Sequence, residues 1–167
     1  AGAGTNGATV SSGIKENNFL GKGIKLNTNI AISQSGLKGQ FTYEKPNFNY
    51  TDNTLITSVS SSTKDNMSDF GFKTSDTSAS IGTRFQQYEN LFFSPRIQVL
   101  SEKLKTTSLA STSLRKQEGN YFSTYFNYSL DLDHRDQSYQ TTAGTRYTFF
   151  QELPLISNDK VISNSFE

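Results

Sequence analysis

Between Tyr121 and His134 polar and apolar positions alternate almost without fault. Phe122, Thr124, Phe126, Tyr128, Leu130 and Leu132 fall on one parity; Ser123, Asn127, Ser129, Asp131 and Asp133 fall on the other. A β-strand sends successive side chains to opposite faces, so the segment carries one aromatic, apolar face and one wet, acidic face. A helix would mix the two sets. The run is also longer than the usual globular strand of about 5–6 residues. Long strands, aromatic on one side and polar on the other, suit the wall of a transmembrane β-barrel. That reading turns Phe122, Phe126, Tyr128, Leu130 and Leu132 toward lipid.

Turn signals divide the chain into about ten extended segments, and nothing reads as a helix. Ala1 to Thr5 is the first, closed by Asn6-Gly7, whose residues tolerate the positive φ of a tight hairpin. Ala8 to Asn17 follows. Gly23 to Gln34 sets Ile24, Leu26, Ile30 and Ile32 against Lys25, Asn27, Asn29 and Ser33. Ser35-Gly36 predicts another two-residue hairpin, into Leu37 to Lys45. There Leu37, Phe41 and Tyr43 oppose Lys38, Gln40, Thr42 and Glu44. Pro46 ends this strand, since proline cannot donate to a ladder. Thr54 to Thr63 and Ser75 to Phe85 are the fifth and sixth, the latter with Ala79, Ile81 and Phe85 against Ser78, Ser80 and Arg84. Lys64 to Thr74 reads as a polar loop that leaves Phe70 and Phe72 unexplained. Leu91 to Leu104 is the seventh, where Pro95 predicts a bulge or a late start. Past a serine- and charge-rich loop, Thr106 to Asn120, come Tyr121 to Asp133, Gly144 to Leu153 and Val161 to Phe166. The expected fold is all-β: an antiparallel up-and-down barrel wall, incomplete at ten strands.

The connections differ in kind. Counted from the first, the odd ones (Asn6-Gly7, Ser35-Gly36, Lys64 to Thr74, Thr106 to Asn120, Pro154 to Lys160) are polar and vary in length. The even ones carry distinctive words: Asn17 to Gly23, Lys45 to Asp52, Gln86 to Asn90, and Asp133-His134-Arg135-Asp136. Alternate turns of a meander emerge at the same end. One rim should therefore be aromatic and motif-bearing, as suits a headgroup interface, and the other freely variable.

Composition tempers the picture without reversing it. Only 33% of the 167 residues are hydrophobic, and the mean hydropathy is −0.57. A barrel wall escapes the objection, because only alternate residues face lipid. No run approaches the ~20 apolar residues of a spanning helix. The absence of cysteine fits an outer-membrane barrel and many soluble proteins alike. A net charge of +1 gives no reason to propose nucleic acid as a partner. The chain opens Ala1-Gly2-Ala3-Gly4 with no initiator Met and no signal core, and stops at Ser165-Phe166-Glu167 inside a strand pattern. Both ends read as those of an excised piece.

The even turns carry a family resemblance. Asn18-Phe19-Leu20-Gly21-Lys22-Gly23, then Phe41 and Tyr43 ahead of Pro46-Asn47-Phe48, resembles the opening of the barrel in the bacterial outer-membrane-protein assembly factors. Asp133-His134-Arg135-Asp136 and Thr142-Ala143-Gly144 resemble that family's D-x-R-D and P-T-x-G words, with Thr141 where the family has proline. Four such words in register span essentially the whole chain. The resemblance implies an outer-membrane barrel of about sixteen strands in a Gram-negative bacterium, of which residues 1–167 would be the N-terminal part. It implies periplasmic repeat domains and further strands on the same chain, attendant lipoproteins, and nascent β-barrel proteins as clients. The motif turns would face the periplasm. Ala1, Gly2, Ala3, Gly4 and Thr5 map to the first strand, whose edge forms a seam that opens sideways; an exposed edge is a template for another chain's strand. Two-partner secretion and autotransporter-assembly barrels share the architecture.

Catalytic chemistry finds little support. His134 is the sole histidine, with no second imidazole or nucleophile beside it. Its neighbours Asp133, Arg135 and Asp136 suit a turn-fixing salt-bridge cluster better. Asp131 and Asp133 share a face as paired glycosidase acids would, yet a wet lumen would simply solvate them. No phosphate-binding loop, nucleophile elbow or metal-ligand spacing occurs. The expectation is no enzyme and no cofactor. A passive pore and a soluble β-sandwich remain as alternatives, the first giving no reason for the turn words, the second burying its apolar parity.

Overall fold

The computed structural model describes residues 2–4, 7–137, 140–157 and 162–167, with the backbone alone described at 2–4 and 7. Ten strands follow one another: β1 (Gly2–Gly4), β2 (Gly7–Phe19), β3 (Ile24–Ser33), β4 (Gly36–Lys45), β5 (Thr54–Asn66), β6 (Phe72–Tyr88), β7 (Leu91–Thr106), β8 (Gly119–Asp133), β9 (Arg146–Ile156) and β10 (Ser163–Phe166). They form one sheet in chain order, each antiparallel to its neighbours, so β1 and β10 are its free edges. This is the up-and-down wall that the alternation predicts. Ala1, Thr5, Asn6 and Val161, parts of the expected first strand, first turn and last strand, lie outside the described residues.

Several boundaries differ from expectation, each for a physical reason. Two short helices, α1 (Met67–Phe70) and α2 (Thr112–Lys116), and a 3-10 turn at Phe48–Tyr50 sit in the connections, where none was expected. Each is shorter than two turns, too short for an apolar period to register. The predicted Ser35-Gly36 hairpin turns instead at Gln34-Ser35, with Gly36 already opposite Ser33. Gly36 is glycine because a Cβ there would meet the Thr63 carbonyl oxygen at 2.1 Å. The loop predicted over Lys64 to Thr74 is mostly strand: β5 runs to Asn66 and β6 starts at Phe72, whose ring lies 6.4 Å from that of Phe70. Pro95 causes neither a bulge nor a late start. It pairs with Tyr128 on β8, while on the β6 side the ladder skips Thr83 and Arg84; the missing N–H simply leaves a gap there. Pro154, expected to begin a loop, is absorbed in β9 beside a bulge at Thr124/Tyr125, where proline is tolerated.

The two faces are sorted opposite to those of a soluble protein. Among the described residues only Ile24 and Ala110 are buried apolar side chains, whereas Ser80, Ser123, Asn127 and Asp131 are buried polar ones. Asn127 is 5% exposed and Asp131 6%, while Phe122 on the other face of the same strand is 59% exposed and Ile14 on β2 is 71%. The sheet curls so that its polar face is the crowded, inner one. Tracing hydrogen-bonded partners along the outer face gives the row Leu26, Tyr43, Thr57, Ile81, Ile97, Phe126, Leu153. The apolar belt crosses these rows obliquely. Toward the odd rim the row Ile32, Leu37, Thr63, Ser75, Lys103, Asn120 is apolar only on β3 and β4. Toward the even rim the row Phe85, Phe93, Leu130, Phe149, Phe166 exists only from β6 onward. An oblique belt is what strands tilted to a barrel axis produce. From Phe122 to Leu132 the belt spans about 33 Å of strand at ~3.3 Å per residue, or about 23 Å in height at a ~45° tilt.

Candidate functional site

The even rim is built by turns whose residue types the backbone demands. After β2, Leu20, Gly21 and Gly23 adopt φ of 56°, 69° and 66°, and the Asn18 side chain accepts the Gly23 N–H at 2.7 Å. Glycine meets no steric penalty there, whereas Leu20 bears one. Phe19 is left half-exposed at the rim. After β4, Asn47, Asn49 and Tyr50 take φ of 51°, 55° and 60°. The Phe48 N–H donates to the Asn53 carbonyl at 2.8 Å, and Thr51 Oγ1 to the Phe48 carbonyl at 2.6 Å. Lys45 Nζ lies 5.6 Å from the Phe48 ring centre. These two words meet: a Cβ on Gly23 would lie 3.9 Å from Pro46. A third turn ties in through Asn90, at φ 61°, whose carbonyl accepts the Asp133 N–H at 2.9 Å.

The fourth turn, Asp133 to Thr145, is cross-linked at each end. Arg135 donates from Nε and Nη2 to the Asp133 carboxylate at 2.8 and 2.7 Å, a bidentate pair that fixes direction as well as charge. Asp136 takes no guanidinium. Its carboxylate accepts the Gln137 N–H at 2.9 Å, the Thr142 N–H at 3.2 Å, the Ala143 N–H at 3.3 Å and the Thr142 hydroxyl. That hydroxyl first, then the backbone N–H groups, holds the Asp136 carboxyl below the usual carboxylate range. Gly144 is obligatory twice over: its φ is +102°, and a Cβ would stand 2.2 Å from the His134 carbonyl oxygen. Thr141, in the place of the family's proline, anchors itself by donating to the Gln137 carbonyl at 2.8 Å. Of the predicted four-residue salt-bridge cluster, only Asp133 and Arg135 form the pair; the His134 main chain bonds Thr145.

On the inner face beside this turn, Asp131 corrects the expectation of a merely solvated carboxylate. Arg146 reaches its two oxygens at 2.8 Å each, Thr148 Oγ1 donates at 3.2 Å, and Arg84 Nη2 approaches to 3.4 Å while stacking over Phe92 at 4.6 Å. The cluster ties β6 and β7 to β8 and β9. Asp131 and Asp133 therefore belong to separate arginine pairs. The sequence placed Arg84 on the polar parity of its strand without a partner, and it did not single out Phe92, Arg146 or Thr148. Among the described residues no group of three metal-ligating side chains occurs, and no helix is long and apolar enough to cross a membrane.

Outside, the same rim carries an aromatic chain. Phe85 meets Phe93 edge-on at 5.6 Å, Phe93 lies 5.9 Å from Tyr128, and Tyr128 lies 6.1 Å from Phe126 and 6.2 Å from Phe149. Tyr128 also donates its hydroxyl to Gln151 Oε1 at 2.5 Å. The free edge lies across the sheet: among the described residues β1 pairs with β2 alone, Gly2 to Thr9, Ala3 to Ala8 and Gly4 to Gly7.

An inside-out meander with an aromatic girdle on one rim defines the class of β-barrel walls. The chain belongs to the Omp85 superfamily, whose domain model matches residues 18–166, a superfamily of outer-membrane insertion and secretion barrels. Its fold is similar to that of BamA from Haemophilus ducreyi, solved without POTRA domains 1–3, with a TM-score of 0.67 at 19% identity. The match covers 90% of this chain and 32% of that one, so the chain spans about a third of the solved protein. Comparison with curated proteins returns no match.

Proposed function

We propose that this chain forms the first part of a barrel that folds and inserts outer-membrane β-barrel proteins, using the β1 edge as a lateral seam. The observation that carries the reading is the sorting of faces: a single sheet that buries Asn127 and Asp131 and exposes Phe122 needs a hydrocarbon solvent on its outer side. Phe122, Phe126, Tyr128, Leu130 and Leu132 then face the outer-membrane lipid of a Gram-negative cell. The turns bearing Asn18, Phe19, Leu20, Gly21, Gly23, Pro46, Phe48, Asp133, Arg135, Asp136 and Gly144 face the periplasm, where repeat domains of the same chain and assembly lipoproteins would gather.

The seam follows from β1. The three described residues of β1, which pair with β2, are all glycine or alanine, so they bury little and contribute few side-chain contacts. Its other side presents unpaired backbone groups, which an incoming strand can satisfy by β-augmentation. The protein acts as a template and has no covalent chemistry to perform. Membership of the superfamily supports this role over a passive pore, as do the four motif turns.

Residues 1–167 contain no cysteine, so any cysteine introduced here is unique to this part of the chain, and the parent without it serves as the background control. In the full-length protein, Ala3→Cys should form disulfides with a cysteine in the terminal strand of a client barrel during assembly. Ala31→Cys, mid-sheet on β3, should not. Equal cross-linking at both positions, or none at Ala3 while assembly proceeds, removes the seam.

A further inference from the structure

At the odd rim the outer face ends in lysine. Lys73 and Lys105 are direct partners across β6 and β7, and Lys103, two residues from Lys105, pairs with Ser75. The three share a face and line a groove of about 190 Å³ with Ser75. Asp65, opposite Lys73 on β5, neutralises one charge through a 2.8 Å ion pair. Lys103 and Lys105 have no anionic partner among the described residues. Like charges placed directly opposite in a sheet are destabilising, so this arrangement calls for an external anion.

The belt says where that anion would be. On β7 the outer positions run Leu91, Phe93, Pro95, Ile97 and Val99, then Ser101, Lys103 and Lys105. Lys103 and Lys105 stand about 13 and 20 Å of strand beyond Val99 at ~3.3 Å per residue. A ~45° tilt brings that to about 9 and 14 Å in height above Val99. The belt itself ends at Phe122, opposite Ser101, which leaves the two lysines about 5 and 9 Å above it, at and just beyond the polar layer of about 5–7 Å flanking the hydrocarbon core. We infer that Lys73, Lys103 and Lys105 form a docking site for the phosphate of an anionic lipid headgroup in the leaflet at the odd rim. The site rests on the lipid-facing reading of the outer face. Charge complementarity selects the phosphate; continuity with the apolar belt selects a lipid as its carrier over a soluble anion, with acyl chains lying along Val99 and Phe122.

The test uses the full-length protein reconstituted into nanodiscs of mixed phosphatidylglycerol and phosphatidylcholine, with bound lipid counted by native mass spectrometry. The expected result is enrichment of phosphatidylglycerol on the wild type. It should fall by about fivefold for each free lysine removed by K103Q and K105Q. D65N should leave the enrichment intact or raise it. Enrichment unchanged in the K73Q/K103Q/K105Q triple variant overturns the site. So does its displacement by inorganic phosphate at about 10 mM, well below the physiological ionic strength of about 0.15 M so that general screening is not the cause; that would mark a soluble-anion site. Strand content by circular dichroism checks the fold of each variant. Failure of the protein to enter nanodiscs at all would instead refute the lipid-facing face, leaving the two ideas separable.

Discussion

At the residue scale, Asp136 shows how one short side chain can specify a turn. It replaces the ladder that ends at β8 by gathering three backbone N–H groups and one hydroxyl. Because these donors stabilise its charged form, its folded pKa lies below the unfolded one. Their contribution is therefore complete above the ordinary carboxylate value of about 3.9 and is lost as pH falls through the lower folded value. Hydrogen exchange at Thr142 and Ala143 should accelerate in strong acid, and Asp136→Asn should reproduce part of that loosening at neutral pH. Asp131 is the inner counterpart. Removing it leaves Arg84 and Arg146 facing each other without a carboxylate, although both guanidinium side chains stay nearly half-exposed and rehydrate. Asp131→Ala should cost about 1–3 kcal/mol, read from denaturant unfolding of the full-length protein in lipid.

At the scale of the element, alternation was legible wherever both faces were chemically distinct. Strands β3, β4 and β8 were readable from their side chains to within a few residues. Strands β5 and β6 were harder, because serine and threonine occupy both parities there. The structure shows why they are stable: hydroxyls pair across the ladder, Ser58 with Ser80 at 2.7 Å and Ser60 with Ser78 at 2.8 Å inside, Thr63 with Ser75 at 3.2 Å outside. Such pairs leave no hydrophobic period to read. The turn words were legible as words, yet the partners Arg84 and Arg146 were not, since pairing between distant strands depends on register. The faces make a sharp prediction. Ile97→Lys, in the middle of the outer belt, should cost about 2–4 kcal/mol in a bilayer. Gln98→Lys, one residue on and facing inward, should cost much less by the same unfolding measurement.

At the scale of the whole molecule, the described residues of the sheet form no conventional core. Stability must come from ladder hydrogen bonds, from inner polar pairs such as Asp131 with Arg146, and from contact between the belt and its surroundings. Two free edges would be costly in hydrocarbon, where no water satisfies the backbone. The segment should therefore aggregate in plain buffer and become monodisperse only with detergent, as sedimentation would show. A folded monomer without detergent would contradict the lipid-facing reading.

The oblique path of the belt across the hydrogen-bond rows has one more consequence. Pleating alone punishes only odd shifts between neighbouring strands, because a slip of two residues returns every side chain to its original side. Here such a slip would lift one strand's greasy segment by about 7 Å along its length, stranding apolar rings in water and sinking serines or lysines into hydrocarbon. The bilayer thus proofreads the alignment that the pleat cannot, and a mis-threaded wall declares itself by sitting at the wrong depth.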